Sequence, residues 1–386
     1  MYARQLTTDQ YTEQSLTEIE ALGLASQYDL ANGHASHELA PSQQAIIHNL
    51  PQLWQSAAQQ KSRDAEMMFK QAFQQLANTP AITNYEHFKI CPTASNSIDV
   101  VAAWLAENKL KTALIEPTFD NLYLILKRRG VALTSLPEET LHNRDYSEIL
   151  KNVDAIFLVN PNNPTGKIIT QDLFTDIIHW CATHKKVIIL DHSFRFFIPQ
   201  DFDIYQILLD SGVTFLTIED TGKVWPTQEI KASLLFCSAN IFYDIDIIYD
   251  EIFLCHSNFS LAILAEFLGD AQQRGLYEAV WKQVAARRQQ FRDALDGDIL
   301  SIHQGSRASM LSVEWVKLGN LFVNDIELAS HFSAHNLILL PGRQFYWGHK
   351  GADAVTNSVR FALLKPKNEF LGAVEFLGQE LRRLSA

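Results

Sequence analysis

Residues 155–166 read Ala155-Ile-Phe-Leu-Val159-Asn160-Pro161-Asn162-Asn163-Pro164-Thr165-Gly166. The run up to Val159 is apolar without polar alternation, the pattern of a strand covered on both faces. The residues after it are turn formers, so the chain must leave the sheet there. Taken alone, that second half is no more than a turn. Moving outward, similar apolar runs occur at 87–91, 112–115, 131–136, 187–191, 214–220 and 232–238. Helical periodicity fills 97–107, 121–129 and 170–184 between them. This alternation predicts an α/β fold, a mostly parallel sheet flanked by helices on both faces. In such sheets ligands bind beyond the carboxyl ends of the strands. The residues at those ends are therefore the candidates for chemistry.

The rest of the chain is read around this sheet. At 386 residues it is too long for one small core. Its texture divides into an N-terminal segment at 1–50, a large α/β domain at 51–290, and a small α+β domain at 291–386 that draws on both chain ends. Residues 240–295 read as long helices. Ser15-Leu16-Thr17-Glu18 fits a capping box and predicts a short helix over 15–24, with Leu16, Ile19 and Leu24 on its apolar side. Such a helix is too short to stand alone and must pack on something, or order when something binds.

Lys plus Arg is 32 and Asp plus Glu is 44, a net charge of −12. That balance argues against nucleic acid as a partner. No run approaches the roughly 18 apolar residues of a membrane helix, and residues 1–9 carry no apolar leader core. The expectation is a cytoplasmic protein without a membrane partner. Cys91, Cys181, Cys237 and Cys255 are widely spaced, with no CxxC pair. They read as reduced, buried thiols.

Several strand ends carry reactive side chains. Run 187–191 ends in Asp191, followed by His192-Ser193-Phe194. Run 214–220 ends in Glu219-Asp220, followed by Thr221-Gly222-Lys223. Run 87–91 is followed by Thr93-Ala94-Ser95-Asn96-Ser97 at a helix start, where N–H groups and hydroxyls suit an anion. Run 112–115 is followed by Pro117-Thr118-Phe119. Each has a plain alternative: a capping Asp, a solvated Lys, a simple N-cap, a core aromatic.

Together and in this order, these motifs resemble the fold-type-I pyridoxal-phosphate enzymes of the aspartate aminotransferase superfamily. The resemblance covers nearly the whole chain. It implies that Asn163 bonds the cofactor's phenolic oxygen, Asp191 pairs with its ring nitrogen, and Lys223 holds it covalently. It implies phosphate contacts from Ser95 and Ser97, and from Lys231 where the family usually has Arg. It also implies that Phe119 stacks on the ring and that Arg360, in Ser358-Val359-Arg360, forks the substrate α-carboxylate. The physics agrees. The cofactor is an electron sink while its ring nitrogen stays protonated, which a buried carboxylate favours. The Lys must lose its proton, which a desolvated or cationic site favours.

Two positions depart from transaminases. Phe194 stands where the family has a Tyr that bonds the phenolic oxygen. Asp220 stands where it has Ser or Thr near the phosphate, and a carboxylate there must point elsewhere, toward substrate. The strings Pro117-Thr-Phe-Asp-Asn121, Ser193-Phe194-Arg195, Glu219-Asp-Thr-Gly-Lys223-Val-Trp-Pro-Thr227 and Asn32-Gly-His34-Ala35 resemble the pyridoxal-phosphate- and O2-dependent L-arginine oxidases and hydroxylases. That resemblance implies free L-arginine as substrate, O2 as co-substrate, no metal or flavin, and a homodimer. It implies that the helix over 15–24 folds over arginine, with Thr17, Glu20 and Asn32 at the substrate and Asp220 as a second carboxylate for the guanidinium.

Lys223 then also acts as general base at Cα. Electrons pass to O2 as peroxide, a second deprotonation at Cβ allows a second oxidation, and hydrolysis releases a 2-keto acid and ammonia. His34 matches the family His beside this chemistry. The hydroxylases carry Asp-Gly-His, and here the string is Asn32-Gly33-His34. An amide cannot hold an imidazolium as a carboxylate does. The sequence therefore leans to desaturation, giving 4,5-dehydro-2-ketoarginine, over 4-hydroxy-2-ketoarginine, with Asp29 as a nearby substitute carboxylate. A conventional aminotransferase and a non-catalytic cofactor-binding sensor are the competing readings.

Overall fold

Strand β1 (Tyr28–Asp29) is followed by β2 (Phe88–Cys91), β3 (Thr112–Glu116), β4 (Leu133–Pro137), β5 (Ala155–Val159), β6 (Val187–His192), β7 (Phe215–Asp220) and β8 (Ser233–Cys237). In this computed structural model, β2 to β8 form the main sheet in the order β2-β8-β7-β6-β5-β3-β4. The structure describes residues 8–349 and 355–386, with the backbone alone for 8–10. Residues 1–7, most of the stretch read as lacking a leader core, lie outside the described residues.

Every apolar run expected to be a strand is one, and the sheet is mostly parallel. The exception is β8, which runs antiparallel to both β2 and β7. The connection at 221–232 contains no helix, the element by which a parallel return usually crosses over. All of β5, β6 and β7 is buried, as their unbroken apolar runs require.

The C-terminal part adds β9 (Leu300–Ile302), β10 (Val313–Leu318), β11 (Leu337–Ile338), β12 (Leu340–Pro341) and β13 (Ser358–Ala362). Four of these form an antiparallel sheet, β12-β13-β10-β9. Strand β1 pairs with β11, Tyr28 opposite Leu337, so the two ends of the chain meet.

The expected N-terminal helix is present at Leu16–Gly23 with its capping box formed. Ser15 N–H donates to Glu18 Oε2 at 2.7 Å, and Glu18 N–H donates to Ser15 Oγ at 3.3 Å. Leu16 and Ile19 are fully buried, but Leu24 is 69 % exposed and lies off the apolar side. The helix does pack on something: Leu16 N–H donates to Asp120 Oδ2 at 2.9 Å, one residue from Phe119. Helices at Pro41–His48, Leu50–Gln59 and Ser62–Leu76 were not read from the sequence. The last buries Ala65, Phe69, Phe73 and Leu76, a one-sided helical period.

Cys91, Cys181 and Cys237 are buried as expected, but Cys255 is exposed. It follows Leu254, whose φ of 59° turns the chain out after the helix Phe242–Ile252. No described helix is long and apolar enough to cross a membrane.

The turn at 160–166 holds itself together. Gly166 N–H donates to Asn162 O at 2.7 Å, and Asn160 Oδ1 accepts Ile169 N–H at 2.8 Å. Asn162 Nδ2 and Thr165 Oγ1 both donate to Glu138 Oε1, at 2.7 and 2.6 Å. Gly166 has φ of +72°, and a Cβ there would lie 2.0 Å from Ser309 Oγ. Gly166→Ala is therefore expected to destabilise the protein by about 2 kcal/mol or more in denaturant unfolding. The double variant with Ser309→Gly should recover the steric part and leave the backbone strain.

Candidate active site

With the other polar side chains of the turn tied down, Asn163 is the one that reaches a cavity at the carboxyl ends of the strands. The cavity measures about 210 Å³. Asp191, at the end of β6, lines it beside Phe194 and Val159. Asp191 Oδ1 accepts Ser193 N–H at 2.8 Å and Ser193 Oγ–H at 2.5 Å. Burial raises the Asp191 carboxyl to about 6, against the Ser193 bonds. A cation beside it would reverse that shift.

A carboxyl with a raised folded pKa binds more protons folded than unfolded, so stability falls as pH rises from about 4 to about 6. Asp191→Asn is expected to raise the melting temperature of the cofactor-free protein by a few degrees at pH 7, with little gain near pH 4. The same variant should weaken retention of the cofactor. A variant that melts lower at pH 7 would refute the strain assigned to Asp191.

Phe119, from the loop after β3, also lines the cavity. It packs edge-on against Phe345, with ring centroids 6.0 Å apart. The connection from β7 to β8 supplies Asp220, Lys223 and Lys231 to the same cavity. Asp220 is 5 % exposed, and its Oδ1 has no hydrogen-bond partner among the described residues. Burial raises the Asp220 carboxyl, and Lys223 pulls it back. Burial lowers the Lys223 ammonium, with Arg360 and Lys231 pushing the same way and Glu20 and Asp220 opposing. This is the electrostatics a nucleophilic lysine needs.

Lys231 Nζ donates to Glu229 Oε2 at 2.8 Å. Ser95 lines the cavity and accepts Asn121 Nδ2–H at 3.0 Å. Ser97 does not reach it. Its hydroxyl is fully buried against Ser233 Oγ at 2.8 Å, on the sheet side of the helix Ala94–Glu107. Two helical steps turn a side chain to the far face.

Thr17, Glu20 and His34 close the other side of the cavity. Arg360, on β13, lies behind Glu20: its Nη2 donates to Glu20 Oε1 at 2.8 Å and also to Ala31 O. Its Nη1 reaches Asn163 Oδ1 at 3.4 Å, and its guanidinium lies 5.5 Å from the Phe119 ring centroid. Gly33 N–H adds a second donor to Glu20 Oε1 at 3.2 Å.

Asn32 is buried beside the cavity, off its wall. Its Oδ1 accepts the His34 N–H at 2.8 Å, which shapes the turn. Asp29 is spent as well: Oδ1 accepts Ala31 and Asn32 N–H, and Oδ2 pairs with Lys365 at 2.6 Å. The carboxylate that does reach His34 is Glu229, which sequence reading passed over. Its signal was an acidic residue set between Lys223 and Lys231. Among the described residues, the side chains grouped closely enough for a metal are His331, His335 and Glu380, and they lie outside the cavity.

A model of the family described as "Aminotransferase class I and II" matches residues 44–370. The chain belongs to the class I and II aminotransferase family. It is an enzyme of the pyridoxal-phosphate aminotransferase fold. It is similar to MppP, whose structure was solved soaked with the product 2-ketoarginine, at 32% identity over 91% of this chain and 99% of that one, with a TM-score of 0.86. More distant aminotransferases share the fold. LysN, an α-aminoadipate aminotransferase from Thermus thermophilus, has 15% identity over 98% of this chain and 97% of its own, with a TM-score of 0.77. YbdL from Escherichia coli, with a methionine aminotransferase function, has 17% identity over 98% of this chain and 99% of its own, with a TM-score of 0.75.

The family's cofactor fits the residues present. Asp191 is a buried carboxylate suited to a ring nitrogen, Phe119 offers an aromatic face, and Lys223 offers an amine held below its ordinary pKa. Ser95 and Lys231 offer a hydroxyl and a charge for the phosphate. Phe194 lines the cavity at the position where the resemblance expects a tyrosine, and its ring carries no hydrogen-bond donor.

Proposed function

We propose that this enzyme oxidises free L-arginine with O2, releasing ammonia, hydrogen peroxide and an arginine-derived 2-keto acid. The observation that carries the reading is Asp220: a buried carboxylate on the cavity wall whose Oδ1 has no hydrogen-bond partner among the described residues. A guanidinium is the planar, multiply donating cation that such an oxygen suits. Glu20 supplies a second carboxylate to the cavity lining, and Arg360 behind it supplies the cation for the α-carboxylate. The similarity to MppP supports the same substrate.

In this reading pyridoxal phosphate, when bound, supplies the electron sink for charge at Cα. The protein's part is positioning and proton transfer. Asp191 holds the ring-nitrogen proton, Asn163 orients the ring, and Ser95 and Lys231 hold the phosphate. Lys223 takes the Cα proton. Thr17 and Glu20 close over the side chain and exclude water. Two rounds of oxidation, each reducing one O2 to peroxide, leave two endings. Loss of a C5 proton gives 4,5-dehydro-2-ketoarginine, the ending that the string Asn32-Gly33-His34 favours where no other carboxylate reaches His34. Addition of water gives 4-hydroxy-2-ketoarginine. We expect a homodimer, as is usual for this fold.

The deciding experiment is oxygen uptake by the purified holoenzyme with L-arginine and no keto-acid acceptor. Uptake with peroxide formation is expected. Absent uptake, with the amine form of the cofactor accumulating, would make it an aminotransferase instead.

A further inference from the structure

Glu229 stands in the connection from β7 to β8, and its carboxylate bridges two groups. Its Oε1 and Oε2 lie 3.1 and 3.0 Å from His34 Nδ1, and Oε2 accepts Lys231 Nζ at 2.8 Å. Gln228 and Glu229 both hold left-handed backbone, with φ of 53° and 65°. Residues other than glycine adopt that conformation at a cost in strain, and such strain clusters at functional sites. Gly222 leaves space for the Lys231 side chain, since a Cβ there would lie 2.9 Å from Lys231 Cδ. The Glu229 side chain is 61 % exposed, so its ion pairs add little to stability. What they fix is orientation.

We propose that Glu229 is the positioning residue for His34: it accepts the Nδ1–H, leaves Nε2 as the unprotonated nitrogen for the cavity, and replaces the carboxylate that Asn32 lacks. The proposal rests on the arginine-oxidase reading for its chemical consequence, though not for the orientation itself. In cofactor-free protein the charge on Lys223, then burial and Lys231, hold His34 down at about 3, with Glu229 opposing. A neutral imidazole takes the tautomer that its Nδ1 partner sets, and a carboxylate at Nδ1 favours Nδ1–H. An Nε2 lone pair is what a general base needs.

The consequence is that water addition is retained. After two oxidations the substrate carries C3=C4 conjugated to its imine. The water oxygen bonds to C4 and gives one proton to His34 Nε2, while the C3=C4 electron pair moves into the enamine. C3 then takes a proton, so the net change is one water across C3=C4. Hydrolysis of the imine gives 4-hydroxy-2-ketoarginine and ammonia. The oxidant is the two O2 already reduced to peroxide, and no further one is required.

The test uses holoenzyme and cofactor-free protein made with heavy-nitrogen histidine, the His34 signal being assigned by its loss in His34→Gln. Long-range proton–nitrogen correlation reads the tautomer directly. The Nδ1–H form is expected in wild type, a shift to Nε2–H in Glu229→Ala, and its return in Glu229→Asp. With arginine in isotope-labelled water, wild type is expected to place water oxygen at C4. Glu229→Ala should lower the ratio of hydroxylated to 4,5-dehydro product roughly tenfold or more while arginine is still consumed, and Glu229→Asp should restore the ratio. An unchanged tautomer in Glu229→Ala overturns the proposal. So does a product ratio that His34→Gln alters and Glu229→Ala does not. If wild type consumes no oxygen with arginine, the arginine reading fails, and the tautomer measurement still decides the role of Glu229.

Discussion

Lys223→Ala is expected to cut arginine-dependent oxygen uptake at least about a thousandfold. The proposed mechanism gives Lys223 two roles: to hold the cofactor and to take the Cα proton. Burial, Arg360 and Lys231 make its deprotonated form accessible. Alanine removes both functions while leaving the cavity wall of Asp191, Asn163 and Phe119 in place. Cofactor content and borohydride trapping separate the two functions. The variant should bind cofactor without forming a reducible covalent link. Substantial oxygen uptake by Lys223→Ala would move the chemistry to another residue and remove the basis of the mechanism.

Glu20→Gln is expected to raise KM for arginine roughly 10- to 100-fold. Its carboxylate is 12 % exposed and faces the cavity, and the guanidinium loses a charged partner when it goes. The structure adds a second consequence. Without substrate, Glu20 sits on Arg360 at 2.8 Å, on the fork assigned to the substrate α-carboxylate. On the proposed reading, arginine breaks that pair and then satisfies both halves, its carboxylate on Arg360 and its guanidinium near Glu20. The variant weakens the latch as well as the anchor. Norvaline, which has the carboxylate and no guanidinium, is therefore expected to bind Glu20→Gln as well as wild type or better. Equal losses for arginine and norvaline would mean that Glu20 only holds the N-terminal helix in place. The cofactor's visible band, titrated with each amino acid, gives both affinities.

How much of this is legible in the sequence differs residue by residue. The strands were legible because an unbroken apolar run such as 155–159 has few ways to be buried. Lys223, Asp191 and Asn163 were legible as motif positions at strand ends, and they converge on one cavity. Ser97 was misplaced because a motif string gives spacing without helical phase, and the hydroxyl faces Ser233. Leu24 was assigned to an apolar side that ends with the helix at Gly23. Asn32 Oδ1 is engaged by the His34 N–H in a local turn, which residue type alone does not show.

Sequence by itself determined the α/β class, the capped N-terminal helix and the positions from which chemistry arises. Those depend on local periodicity and on residue type, which neighbours along the chain carry. Tertiary structure alone decided who faces whom. Glu20 meets Arg360 across 340 residues, Asp29 is consumed by Lys365, and Glu229 becomes the carboxylate on His34. An ion pair depends on distance in space, and the fold brings these partners together from the two ends of the chain and from the loop between β7 and β8.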